Sequence, residues 1–307
     1  MRSRDFLTLE DTSREELREI LDLARDVANG RLSKPLAGKT VCLAFFESST
    51  RTAVSFELAA RRGGADVISL SENGSAIAKG ESLVDTVVTL DRLGADAIVL
   101  RHPAAGAARL ASRHTSAAVV NAGDGCGQHP TQALLDLYAL RESFGGFDGL
   151  AGCKVAIVGD VLHSRVARSV IPAFQTAGME VALAAPRTLL PLETDVWNLP
   201  ILPSVDAALE WGAEVLYMLR LQNERMNGGS PRVPSVAEYG AYYGVARRHL
   251  RRGVRVMHPG PVNRGVEISG DVVLDDASLI PNQVAAGVAV RSANLTLATG
   301  VAHQVAA

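Results

Sequence analysis

Short apolar runs alternate with longer stretches of helical spacing along most of the chain. TVCLAFF (40–46), ADVISL (65–70), DAIVL (96–100) and AAVVNA (117–122) have the length and side-chain types of buried strands. Apolar positions at helical spacing lie between them: from 51 to the stop pair Gly63-Gly64, through SLVDTVVTLDRLG, and after RHPAAG in a small-residue stretch. A first helix is expected over about 13–29, with Ser13 and Glu16 spaced for a capping box.

The Gly-rich segment RESFGGFDGLAGC (141–153) reads as a domain junction. A second alternation follows: KVAIVGD (154–160), a helix near 164–177, EVALAAP (180–186), EVLYMLR (214–220) and VRVMHP (254–259). The last stretch, NQVAAGVAVRSANLTLATGVAHQ, is helical by pattern and fits either domain. The fold class expected is therefore α/β, with two doubly wound parallel-sheet domains. Such sheets bind ligands beyond the carboxyl ends of their strands, and several polar clusters fall there.

Composition narrows the field. The chain has 307 residues, 47% apolar and 21% charged, as in ordinary globular enzymes. A net charge of −2 lacks the basic excess of a non-specific nucleic-acid binder. No apolar run reaches bilayer-spanning length, so no membrane partner is expected. The N-terminus lacks a signal peptide's apolar core, and a cytoplasmic protein is expected. Cys42, Cys126 and Cys153 show neither disulfide nor metal spacing. The 31 basic residues comprise 27 Arg and four Lys, so a lone Arg near a loop says little, and a Lys such as Lys79 somewhat more.

Ser49-Thr50-Arg51-Thr52 follows a strand and opens a helix. It reads either as a Ser/Thr cap with a solvated Arg or as an anion site using the helix N–H groups and a guanidinium. The loop SENGSAIAKGES (71–82), carrying Ser75 and Lys79, is either a solvated surface loop or a reaching arm. Arg101 stands at a strand's carboxyl end. In GDGCGQHPTQALLD (123–136), His129 and Gln132 are three apart, with Pro130 at the first helical position, so both project from one turn. VAIVGD lacks the GxGxxG of dinucleotide sites, while Arg165 opens the next helix where an anion would sit. Arg220 and Gln222 would share a face if the strand continues, a pair suited to a carboxylate, or they are simply part of the local structure. Two prolines around Gly260 stiffen a turn able to offer carbonyls to an amine, or simply build local structure. No catalytic Ser elbow, His-Glu-x-x-His or carboxylate cluster is present, so neither a metal nor a cofactor is expected.

FFESSTRT, the KGES loop, RHPAAGAAR, NAGDGCGQHPTQALLDLY, VGD with Arg165, YMLRLQNER and HPGP, taken in this order, resemble the carbamoyltransferase family over nearly the whole chain. The likeness is to its aspartate branch. The ornithine branch carries a His-Cys-Leu-Pro turn and a Ser-Met-Gly motif, where this chain has His258-Pro259-Gly260-Pro261 and Arg220-Leu221-Gln222. One departure is Ala53, where members often have Arg.

The resemblance implies transfer of a carbamoyl group from carbamoyl phosphate to L-aspartate, a step of pyrimidine biosynthesis. It implies a carbamoyl phosphate domain at 1–141 with a C-terminal helix (287–307) packing back on it, and an aspartate domain at 142–286. Ser49, Thr50, Arg51 and Thr52 would hold the phosphate; Thr52, Arg101 and His129 would polarise the carbamoyl oxygen, and Gln132 would bind its amide. Ser75 and Lys79 would enter from a neighbouring subunit of a homotrimer. Arg165, Arg220 and Gln222 would hold the carboxylates of aspartate, with Lys79 nearby, while the backbone at Pro259 and Gly260 would position its amine. The proton acceptor would be the departing phosphate or Lys79. Glu47 would pair with Arg165 or Arg225 on domain closure, and the Gly260–Pro261 bond would be cis. Regulatory chains and a dihydroorotase are partners the family uses in larger assemblies.

Overall fold

The computed structural model describes residues 5–71, 80–192, 197–222 and 235–300. The chain divides into two compact units, Met1–Tyr138 with Val284–Ala307, and Ala139–Gln283.

In the first unit, α1 (Arg14–Ala28) begins with the expected capping box: Ser13 Oγ accepts from Glu16 N at 3.1 Å, and Glu16 Oε2 accepts from Ser13 N at 3.0 Å. Then β1 (Thr40–Phe45), α2 (Thr50–Arg62), β2 (Asp66–Ser71), α3 (Leu83–Arg92), β3 (Ala97–His102), α4 (Ala107–Ser112) and β4 (Ala118–Asp124) alternate, and α5 (Pro130–Ser143) follows. The strands form one parallel sheet in the order β2-β1-β3-β4. Side chains alternate across it, so Cys42, Ala44, Ile98, Leu100 and Val119 share a face. That face packs on Val87 and Leu90 of α3 and on the alanines of α4. All seven residues of β4 are buried, which suits its apolar and small residues, and its two polar members, Asn121 and Asp124, bond to one another at 3.1 Å.

The second unit contains β5 (Lys154–Val158), α6 (Arg165–Thr176), β6 (Glu180–Ala184), β7 (Ile201–Leu202), α7 (Val205–Trp211), β8 (Val215–Met218), α8 (Val236–Tyr243) and β9 (Arg255–Met257). Its sheet is also parallel, in the order β7-β6-β5-β8-β9. Ala156, Val158, Leu216, Met218 and Val256 pack with Val205, Ala208 and Leu209 of α7. The last helix, α9 (Ile280–Ala298), continues into the first unit from Val284 onward. These two parallel α/β sheets are the fold class expected from the pattern. β7, α7 and α8 were not expected: two strand residues and helices of seven and eight residues are too short to establish a period.

One carboxylate ties α3 to the start of β4. Asp91 Oδ1 accepts from Thr115 Oγ1 (2.9 Å), Ser116 N (2.9 Å), Ser116 Oγ (2.7 Å) and Ala117 N (3.2 Å). These bonds, the Ser116 hydroxyl first, hold Asp91 below its ordinary value of 3.8. A lowered carboxylate contributes stability above that ordinary value and loses it as pH falls through the lowered one. Asp91→Ala is expected to cost about 1–2 kcal/mol near neutral pH. Unfolding of both proteins followed from pH 7 to pH 3 should show the gap narrowing in acid; a gap independent of pH would contradict this account.

Candidate active site

Each sheet reverses its winding once. From β1 the chain adds β2 on one side, and from β3 it adds β4 on the other, so the crevice of the first sheet lies at the carboxyl ends of β1 and β3. Those ends are in register, with Phe45 opposite Arg101 and Phe46 N donating to Arg101 O at 2.8 Å. In the second sheet the corresponding crevice lies between β5 and β8, where Val158 faces Met218 and Leu219 N donates to Val158 O at 2.7 Å.

At the first crevice α2 begins. Ser49 is its N-cap, in extended backbone (φ −162°, ψ 96°), but its hydroxyl makes no capping bond. The first turn of α2 carries no acidic residue, unlike those of α1, α3, α7 and α8. Its positive end is therefore unbalanced by its own side chains, which is the electrostatic condition for an anion site. Thr52 is buried and Arg51 is exposed on this turn.

Arg101 is buried at the end of β3, where Nη1 donates to Ala122 O at 3.1 Å. Its Nε lies 3.6 Å from Glu47 Oε2. This contact of Glu47 is not visible in the linear sequence, and it leaves the pairing expected on domain closure untouched. His129 and Gln132 are both buried around the first turn of α5, which begins at Pro130 as expected. Gln132 Nε2 donates to Asp136 Oδ1 at 2.9 Å, so this amide is held by a fully buried carboxylate one turn along. Asp124 shapes the loop leading to His129. Its carboxylate accepts from Gly106 N (2.6 Å), Gln128 N (2.7 Å) and Asn121 Nδ2 (3.1 Å), joining the loops after β3 and β4. Gly125 (φ +48°) belongs to the same junction, since a Cβ there would lie 2.6 Å from Pro103 O and Ala105 N.

At the second crevice Gly159 (φ +117°) allows β5 to turn sharply, and a Cβ there would lie 2.6 Å from Tyr239 Oη. Asp160 is fully buried. It holds His163 Nδ1 at 2.8 Å and accepts from Gln222 N at 3.3 Å, while Gln222 Nε2 donates back to His163 O at 3.2 Å. This ring of bonds joins the loop after β5 to the one after β8. Arg165 is the first residue of α6, buried, and that first turn has no acidic residue either. Arg220 is half-buried beside Leu221, whose N–H donates to Glu267 Oε1 at 2.8 Å. Burial pushes Glu267 up, and its bonds from Leu221 and Asn263 pull the other way. Pro259 and Gly260 follow β9; Gly260 N donates to His258 Nδ1 at 2.7 Å, and the Gly260–Pro261 bond is cis, as expected.

Ser75, Lys79 and Arg225 lie outside the described residues. Among the described residues no cluster of His, Cys, Asp or Glu suits a metal ion, and no helix is long and apolar enough to cross a membrane. A cleft of about 470 Å³ in the second unit, reaching Glu214 and Arg255, lies at the amino ends of β8 and β9, opposite the crevice. Sequence reading missed Asp124, Asp136 and Asp160. Asp136 stands four residues after Gln132, a helical spacing that was there to be read.

The twelve ligand candidates among the described residues thus fall into two groups, one in each unit, each beyond the carboxyl ends of its parallel strands. Comparison with known proteins agrees in kind. The model of the aspartate/ornithine carbamoyltransferase carbamoyl-P binding domain matches residues 4–142, and that of the Asp/Orn binding domain matches residues 151–298. An aspartate carbamoyltransferase catalytic subunit from Rubrobacter xylanophilus is 78% identical over the full length of both chains. The structure of aspartate transcarbamoylase from Trypanosoma cruzi in complex with carbamoyl phosphate and aspartate has a TM-score of 0.82 at 28% identity, covering 96% of this chain and 95% of that one. An ornithine carbamoyltransferase from Pyrococcus furiosus has a TM-score of 0.84 at 27% identity, covering 97% of each chain. The backbone is thus shared by enzymes for two amino acids, and the choice between them rests on side chains. The chain belongs to the aspartate/ornithine carbamoyltransferase family.

Proposed function

We propose that the protein transfers the carbamoyl group of carbamoyl phosphate to the amine of L-aspartate, giving N-carbamoyl-L-aspartate and phosphate, a step of pyrimidine biosynthesis. The observation that carries this reading is the full-length identity to an aspartate carbamoyltransferase catalytic subunit. It is supported by the Arg165, Arg220 and Gln222 group, which suits a dicarboxylate. Ornithine offers a cationic side chain, against which two guanidiniums would be repulsive.

In this mechanism the phosphate of the first substrate lies at the N-terminus of α2, against Ser49, Thr50, Arg51 and Thr52. The amine lone pair forms the new C–N bond, and charge builds on the carbamoyl oxygen, where Thr52, Arg101 and His129 stabilise it. The C–O bond to phosphate then breaks. Arg51 and the helix N–H groups offset the charge of the leaving group, which takes up the amine proton, either itself or through Lys79. Gln132, braced by Asp136, reads the carbamoyl amide. The carbonyls around Pro259 and Gly260 orient the amine. Placing two anionic substrates in reacting geometry supplies much of the remaining acceleration.

The proposal includes a homotrimer in which Ser75 and Lys79 complete a neighbour's site. It also includes a cytoplasmic location, in keeping with the free thiols Cys42, Cys126 and Cys153.

The purified protein should release phosphate from carbamoyl phosphate with L-aspartate and not with ornithine; turnover with ornithine alone would overturn the reading. His129→Ala should lower kcat about 100- to 1,000-fold, the usual cost of one lost oxyanion donor. A steady-state assay giving an unchanged kcat would remove His129 from this role. Mixing Lys79→Ala with Arg51→Ala chains should restore part of the activity through hybrid trimers carrying intact sites. Verified hybrids without activity would contradict sharing between subunits.

A further inference from the structure

α9 carries a buried cation that the mechanism above does not use. Arg291 is 4% exposed, and its guanidinium lies over the Phe56 ring at 5.1 Å from the centroid. Nη1 donates to Ser55 Oγ. Ser55 is itself buried, and its hydroxyl is directed to the carbonyls of Arg51 and, at 3.1 Å, Thr52. Those carbonyls belong to the turn whose side chains and N–H groups face the proposed phosphate. A bond from a cation polarises the hydroxyl and strengthens the bonds it donates in turn.

The position of the guanidinium is built into α9. Gly287 stands one turn earlier, and a Cβ there would lie 2.7 Å from Arg291 Nη1 and 3.8 Å from Ser55 Cβ. Gly287 therefore leaves the space through which the arginine reaches α2. The electrostatics point the same way. Burial lowers Arg291 to about 9, Arg101 and Arg51 push in the same direction, and Asp136 opposes them. It remains a cation at neutral pH, within electrostatic reach of Arg51, Arg101 and the carboxylate of Asp136, while Arg101 itself lies 3.6 Å from Glu47.

We propose that Arg291 is a positioning residue for the phosphate site, acting through Ser55 to hold the first turn of α2 and adding positive potential that a bound phosphate balances. This rests on the reading of that turn as the carbamoyl phosphate site. A guanidinium that only packed α9 on α2 would affect stability and both substrates alike. A positioning guanidinium acts on the phosphate-bearing substrate alone.

The test compares the unsubstituted trimer with Arg291→Met, Arg291→Lys, Ser55→Ala and the Arg291→Met/Ser55→Ala double variant. Calorimetry gives the affinity for inorganic phosphate, and steady-state assays give KM for each substrate. Methionine keeps the apolar contact with Phe56 but removes the charge and the donors. Arg291→Met should raise the phosphate Kd and the carbamoyl phosphate KM roughly tenfold or more, the scale of one charge-assisted hydrogen bond. The aspartate KM should stay within about twofold, and Arg291→Lys should recover part of the loss, its ammonium restoring charge without the planar fork. Ser55→Ala should move the same constants in the same direction, and the double variant should be no worse than Arg291→Met, since both break one chain of contacts. Should Arg291→Met fail to fold, Ser55→Ala tests the chain with Arg291 left in place. A folded Arg291→Met or Ser55→Ala protein with unchanged phosphate affinity, or an equal rise in both KM values, would overturn the proposal. Failure of the unsubstituted protein to bind phosphate would instead overturn the reading beneath it.

Discussion

Because β-α-β crossovers are right-handed, a parallel sheet that extends on both sides of a central pair must reverse its winding once, and a crevice opens at that reversal. In this chain the reversals fall between β1 and β3 and between β5 and β8. Much of the chemically distinctive set lies there, with His129 and Gln132 joining from the end of β4 and Pro259 and Gly260 from the end of β9. After β1 comes the Ser-Thr-Arg-Thr turn; after β3, Arg101; after β5, Asp160 and Arg165; after β8, Arg220 and Gln222. In the proposed function the two sheets solve the same problem twice, once for a phosphate and once for a dicarboxylate.

Charge explains why these positions suit anions rather than merely ending helices. The turns that open α2 and α6 contain Arg and no acid. Most buried carboxylates nearby are engaged with neutral donors: Asp124 with backbone N–H groups, Asp136 with Gln132, Glu267 with Leu221 and Asn263. They brace loops and side chains. Three acids also meet basic groups: Glu47 lies against Arg101, Asp160 holds the His163 ring, and Asp136 acts on Arg291. Each unit thus shows cations toward its crevice, while its acids stiffen the frame behind them. Such preorganised donors act without reorganising during the reaction, which is where electrostatic catalysis gains most.

Much of this was legible in the residues, for reasons that can be named. Buried parallel strands are short apolar runs, so β1, β3, β4 and β5 stood out. Caps and stops are local chemistry, so Ser13 with Glu16, Pro130 and Gly63 marked helix ends correctly. The anion clusters were visible as unusual polar groupings at strand ends, although Ser49 alone left a cap and an anion site equally open. What escaped was non-local. Arg291 is one of 27 arginines, and nothing in its own segment marks it as the partner of Ser55, 236 positions away. Asp160 is meaningful only once β8 is placed beside β5 and Gln222 comes within reach. The contact between Glu47 and Arg101 likewise depends on the β1–β3 register, which a linear sequence does not supply.

The central claim is that the two crevices divide the labour, phosphate at the first and dicarboxylate at the second. A crystal structure of the protein with phosphate and N-carbamoyl-L-aspartate tests it most directly. The account predicts phosphate bonded to the N–H groups and side chains of Ser49 to Thr52, and both carboxylates of the other product held by Arg165, Arg220 and Gln222. Phosphate bound away from the first turn of α2, or the carboxylates held by residues of the first unit, would contradict it.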